Sequence, residues 1–309
     1  MTSPALPALP LVGRAQDLSD ARSAVERLRA GAGSALLLTG ASGIGRSRVA
    51  GALVDELRRG GWTVTAGRAY AVESGVPFAL FSDAFVPTLA ALPAGALTTL
   101  ARGAEAGIER LFPALAARPL EPVEDDASSR TQLFWSLARV LKGMSARAPV
   151  LAVLEDLHWS DPSSLELLHF LARQLAGDPV VFVGTVNDDE RARHPTLREV
   201  IQSLTSLGLV TTKALQPLSR EATEELVRDV FGVGPEVAAG FARKLHERTG
   251  GNPLLVEATL ASLVETGRLW RERGSWLGWE VSELEPPRSV REAILLRTAR
   301  LSEPAQRAA

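Results

Sequence analysis

The chain has 309 residues, with 34 basic and 36 acidic side chains and a formal net charge of -2. That balance excludes a global field able to draw the protein onto nucleic acid or an anionic membrane surface. The absence of cysteine excludes disulfides and thiolate metal sites and fits a reducing cytoplasm, the expected location.

At this length the chain has room for two or three domains, and a hydrophobic content of 46% supports full cores. No apolar run approaches the roughly 20 residues that a bilayer span needs. The N-terminal stretch lacks a basic n-region and reads as a flexible lead-in over residues 1–10, not a secretory signal. Arginine replaces lysine almost everywhere, Lys142, Lys213 and Lys244 excepted, which points to a GC-rich coding bias.

An amphipathic helix is expected from about Ala15 to Leu28, followed by a short buried strand over residues 34–39. Next comes Gly40-Ala41-Ser42-Gly43-Ile44-Gly45-Arg46-Ser47. This fits the phosphate-loop pattern G-x-x-x-x-G-K-[ST], with arginine in the lysine position. Glycines let backbone N–H groups crowd around a polyphosphate, and the following helix adds its positive N-terminal end. Ser47 stands where a hydroxyl can ligand Mg²⁺. A plain glycine-rich turn would share the glycines, but not the strand, the helix and the hydroxyl together. The coding bias makes mutational drift an alternative to functional redesign at Arg46.

A strand at 62–66, helices at 78–92 and 103–117, an acidic connector at 121–126 and a helix at 128–144 follow. The apolar run 150–154 has the composition of a central parallel strand and ends in Glu155-Asp156. Ligands sit at the carboxyl ends of strands in open α/β sheets. There one acid can hold Mg²⁺ while the other orients or deprotonates an attacking water. Two acids at a strand end can also simply satisfy a helix N-terminus. Asp161-Pro162 reads as a helix start, 180–184 and 207–211 as strands, and Asp188-Asp189-Glu190 as a solvated loop. No guanine-reading [NT]-K-x-D is present, since Asn187-Asp188 lacks the lysine.

From Ser219 the pattern turns helical, with further starts at Pro235 and Pro253. Trp270, Trp276 and Trp279 around Arg273-Gly274-Ser275 read as a β-hairpin, expected as a covering flap more than as a stacking platform for nucleic acid. Pro286-Pro287 marks a boundary before a helix at 288–301.

In order and content these segments resemble the nucleotide-binding module of STAND-class ATPases, in particular that of large ATP-binding LuxR-type bacterial transcription regulators. Leu11-Val12-Gly13-Arg14 resembles the hhGRE motif near the adenosine, and Leu154 to Pro162 resembles the extended Walker B signature. Val183-Gly184-Thr185 is similar to the sensor-1 strand, and Gly251-Asn252-Pro253 to the G-x-P motif whose proline packs on adenine.

The resemblance implies a P-loop NTPase three-layer α/β sandwich with a parallel sheet at 11–215. It implies a helical lid with a C-terminal hairpin at 216–285 and an incomplete winged-helix entry at 286–309. ATP or ADP with Mg²⁺ would be held by Val12, Gly13, Arg14, Gly40, Ser42, Gly43, Ile44, Gly45, Arg46, Ser47, Arg48, Thr185, Asn187 and Pro253. Ser47, Glu155 and Asp156 would hold the metal, and the two acids would be catalytic.

Departures from the family pattern temper its activity. The glutamate of hhGRE is Ala15, the Walker lysine is Arg46, and the arginine of T-x-R is Asn187. Nucleotide holding with slow hydrolysis is therefore the expectation; a working ATPase and a nucleotide-free scaffold are the alternatives. Expected partners are downstream domains or other proteins, with no membrane and no direct DNA recognition, since the DNA-binding helices of the resembled regulators lie at their far C-terminus.

Overall fold

Residues 6–93, 95–116, 127–279 and 292–293 are described by the computed structural model. The acidic connector at 121–126 and, Glu292 and Ala293 apart, the 286–309 segment lie outside the described residues. Two compact units share the chain. A sheet unit comprises Asp17–Gly40 and Arg46–Ala214; a helical unit comprises Met1–Gln16, Ala41–Gly45 and Leu215–Ala309.

The alternation of the first two-thirds runs α1 (Ala15–Arg29), β1 (Ala35–Gly40), α2 (Arg46–Arg59), β2 (Thr63–Arg68), α3 (Ala79–Ala90), α4 (Ala96–Ala101) and α5 (Glu105–Leu111). It continues with α6 (Ala127–Ser145), β3 (Val150–Glu155), α7 (Pro162–Gln174), β4 (Val180–Asn187), α8 (Asp188–Arg191), α9 (Pro195–Ser206) and β5 (Val210–Ala214). The five strands form one sheet in the order β2-β3-β4-β1-β5, and every pairing is parallel.

Position in that order explains composition. Every residue of β1 and β4 is buried, as both faces of a central parallel strand require, whereas the edge strands β2 and β5 carry Thr, Arg and Lys and are partly exposed. On one face Leu37, Ala152, Leu154 and Phe182 share a core with Phe81 and Phe85 of α3, Leu137 and Leu141 of α6 and Leu168 of α7. Their strand neighbours Leu36, Leu38, Val153 and Val183, equally buried, point to the opposite face. Lys213 of β5 ties α1 to the sheet edge through Asp17 at 3.1 Å and Asp20 at 2.6 Å.

Helix α3 approaches β2 so closely that a methyl on Gly67 would lie 2.5 Å from the Ala84 amide nitrogen and 2.8 Å from its Cα. Both atoms are backbone and cannot rotate away. Gly67→Ala should therefore cost roughly 1–3 kcal/mol, the usual penalty of overpacking. Urea unfolding would show it; an unchanged midpoint would reject this account of the contact.

Three local expectations are corrected. The strand expected at 207–211 begins only at Val210, because Leu207 caps α9 and Gly208 takes φ +68° in the turn that follows. The helix expected at 103–117 is α5 alone, with Pro113 opening a separate 3-10 turn, Pro113–Leu115. Asp188-Asp189-Glu190 is not a loop but the body of α8, since Asn187 Oδ1 accepts from the Asp189 amide and caps that turn.

The helical unit holds α10 (Arg220–Phe231), α11 (Pro235–Thr249) and α12 (Pro253–Glu265), followed by the hairpin β6 (Trp270–Glu272) and β7 (Ser275–Leu277). Ser219 accepts from the Ala222 amide at the start of α10, and proline opens the other two helices, where its missing N–H costs nothing. Phe231 meets Trp276 and Trp279 edge-on at 5.0 and 5.1 Å, and Trp279 meets Phe241 in the same way. Two of the hairpin's three tryptophans are thus spent on packing, while Trp270 stays 44% exposed. Among the described residues no helix is long and apolar enough to cross a membrane.

Candidate functional site

In the sheet unit the carboxyl ends of β1, β4, β3 and β2 lie side by side, because β4 separates β1 from β3 and β2 flanks β3. Register aligns Gly40 with Asn187 and Glu155 with Arg68. The chemistry-bearing residues of four strands therefore meet along one rim, as open α/β sheets place their ligand-binding groups.

Arg46 and Ser47 open α2, whose first turn carries no acidic residue, leaving its positive end to an anion. The Arg46 guanidinium turns back and donates through Nη1 to the Gly40 carbonyl, at the root of the glycine loop. Burial holds its pKa below the ordinary value although Asp156, Asp188, Asp189 and Glu155 favour the charge. Arg48 is exposed on the same helix.

Asp156 follows β3 in the left-handed region, with φ 57° and ψ 45°, a conformation that aspartate tolerates better than most residues. Its amide donates to Thr185 Oγ1 at 2.9 Å, so a threonine of β4 fixes the turn that bears the acids. Burial raises the Asp156 carboxyl above its ordinary value, against the opposing pull of Arg68 and Arg46.

Arg68, at the end of β2, is the member of this constellation that sequence reasoning missed. Its Nη2 donates to Glu155 Oε2 at 2.5 Å and to Ser47 Oγ at 3.5 Å, and its Nε lies 3.4 Å from Asp156 Oδ2. One guanidinium thus gathers the three residues expected to hold a metal. A hydroxyl and two carboxylates are hard oxygen donors suited to Mg²⁺, and a cation already sits among them, so the residues fit that ion. Among the described residues no cluster of three or more His, Cys, Asp or Glu could hold a metal unaided. Phosphate oxygens and water would have to complete the shell.

His158 braces the same rim: its Nδ1 accepts from the Asn187 amide at 3.4 Å. Burial, reinforced by the charges of Arg46 and His194, lowers its pKa from 6.5 to about 4, so the ring is neutral at physiological pH. Asn187, expected in the place of a phosphate-reading arginine, uses its side-chain oxygen to cap α8.

The remaining candidates belong to the helical unit. Arg14, only 3% exposed, donates to the Gln216 carbonyl at 2.8 Å and the Ile44 carbonyl at 2.7 Å. Its guanidinium clamps the middle of the glycine loop to the entry of the helical segment. Gly13 takes φ +66°, and a methyl there would lie 2.5 Å from Ala222 Cβ, so Val12-Gly13-Arg14 can run only with glycine at its centre. Asn252, absent from the candidates read from sequence, caps α12 through Oδ1 and donates from Nδ2 to the Ser42 carbonyl of the glycine loop at 2.9 Å. The Leu254 amide donates to the Gly43 carbonyl at 3.3 Å, and Pro253 occupies the first turn of α12 between these contacts. Gly45 takes φ +100°, the backbone freedom that such a loop requires.

An uncharacterized protein of Rhizobium meliloti is 28% identical over 277 residues, covering 80% of this chain and 24% of the relative. The chain therefore spans about a quarter of the length of that relative. Among solved structures, a STAND protein with a tetratricopeptide repeat sensor from Pyrococcus horikoshii aligns with TM-score 0.45 and 17% identity, covering 84% of this chain and 30% of that one. Cdc6p from Pyrobaculum aerophilum aligns with TM-score 0.47 and 15% identity, covering 86% and 65%. The family model of the AAA ATPase domain matches residues 10–183. That stretch takes in the glycine loop, the paired acids and most of the parallel sheet, and the chain belongs to this family of P-loop nucleotide-binding ATPase modules.

Proposed function

We propose that the chain is an adenine-nucleotide-binding regulatory switch module of STAND type, part of a LuxR-type transcription regulator, and that it hydrolyses ATP slowly. The observation that supports slow turnover best is Arg46 folded back onto the Gly40 carbonyl, where it gives a γ-phosphate little support. Asn187 supplies no replacement charge, since it is neutral and engaged as a helix cap.

In this reading residues 11–215 form the nucleotide-binding domain, 216–285 the lid and 286–309 the winged-helix entry. Glycine-loop amides hold the phosphates, Pro253 packs on the base, and Ser47, Glu155 and Asp156 serve Mg²⁺. Nucleotide state is passed to downstream domains or protein partners, and the chain itself does not read DNA.

Competition against labelled ADP tests the base preference. ATP should displace the label at least about tenfold more effectively than GTP, a gap of about 1.4 kcal/mol. Equal displacement would reject the adenine pocket. A turnover assay with Mg²⁺ tests the switch: rates near 1 s⁻¹, roughly the lower range of phosphoryl-transfer enzymes, would establish a working ATPase instead.

A further inference from the structure

We propose that Arg68 is an internal stand-in for the divalent cation, so that its guanidinium and a metal ion compete for Ser47 Oγ and for the carboxylates of Glu155 and Asp156. The inference rests on the reading of these three residues as the metal ligands. It adds a residue of this chain that must leave before the metal can enter.

Two observations carry it. The guanidinium reaches all three ligands at 2.5 to 3.5 Å, so its donors point at the oxygens a metal would use. The side chain also has somewhere to go: β2 is an edge strand and the Arg68 side chain is 44% exposed.

The backbone, by contrast, is fastened. The Arg68 amide donates to Asp83 Oδ2 at 2.8 Å, and the register with Glu155 is set by the sheet. Release is therefore a side-chain rotation with the strand in place. A dication and a guanidinium cannot share the same two carboxylates without close like-charge repulsion. The metal-free acids are kept neutralised, and occupancy by metal exposes a mobile positive charge on the rim. Metal affinity is then lowered by the cost of displacing Arg68, which makes loading sensitive to anything else that captures the freed guanidinium, a phosphate group included.

The test is a titration of nucleotide-free protein with Mn²⁺ alone, read by the loss of the free-ion electron paramagnetic resonance signal. Arg68→Gln and Arg68→Ala should each bind Mn²⁺ at least about tenfold more tightly than wild type, given the size of like-charge penalties at close range. Adding Glu155→Gln to Arg68→Gln should abolish the gain. If both variants bind Mn²⁺ no more tightly than wild type, the proposal is overturned. The glutamine variant keeps most of the side chain's length and covers the case in which the alanine variant fails to fold. Labelled ADP without metal, titrated into wild type, separates the two readings. Failure there removes the nucleotide site, while the metal titration still decides the role of Arg68.

Discussion

Arg46→Lys is expected to tighten ATP binding by about tenfold, or about 1.4 kcal/mol, while changing ADP binding much less. Lysine delivers a compact charge on a flexible stem; a guanidinium is planar and broader. In this protein the broader head is folded back onto the Gly40 carbonyl, and the charges of Asp156, Asp188, Asp189 and Glu155 act on it. A shorter ammonium that fits within the glycine loop would reach the terminal phosphate, so the gain should fall on the nucleotide that has one. Adding Asn187→Arg should raise turnover beyond the single change, because arginines that stabilise a transferring phosphoryl group are worth orders of magnitude. It also removes the α8 cap, at a local cost of about 1 kcal/mol. Calorimetric titration with each nucleotide decides the first point. Equal affinities of wild type and Arg46→Lys for ATP would favour drift under coding bias as the origin of Arg46.

Acid should destabilise the protein through His158. Its folded-state pKa of about 4 lies below the unfolded value of 6.5, so the unfolded chain binds the proton first as pH falls. The stability tied to the neutral ring is fully present above pH 6.5 and is lost progressively as pH falls towards 4. At roughly 1.4 kcal/mol per pH unit the loss is on the order of 3 kcal/mol. Asp156 works in the opposite sense near the acid end. Its raised pKa makes the folded state the better proton binder there and offsets part of the loss. Comparing urea midpoints of wild type and His158→Gln between pH 7 and 4.5 isolates the histidine, since Asp156 is common to both. Parallel slopes would show that His158 does not titrate across this window.

The fold was legible because its signals are local. The apolar runs at 150–154 and 180–184 can only be satisfied with both faces covered, and the glycine loop between strand and helix marks a βα unit by itself. Ser219, Asp161 and Pro253 announce helix starts through chemistry confined to one turn, and the structure places a cap or a first-turn proline at each. The strand expected at 207–211 lies too early because Leu207-Gly208-Leu209 carries an apolar pattern, whereas Thr211, Thr212 and Lys213 of the edge strand β5 carry none.

The residues of the rim divide along the same line. Gly40, Ser47, Glu155 and Asp156 could be named as candidates from sequence because each lies in a contiguous motif with a recognisable spacing. Arg68 could not, since nothing near it in the chain marks it. It becomes a neighbour of Glu155 only because β2 pairs with β3, 87 positions away along the chain. Strand order is set by how the helices cover the two faces of the sheet, a long-range packing outcome that no local spacing encodes. By itself the sequence determined which residues stand as candidates for phosphate and metal binding. Only the tertiary structure decided that a guanidinium from the edge strand stands among Ser47, Glu155 and Asp156, and that Arg46 is turned onto its own loop.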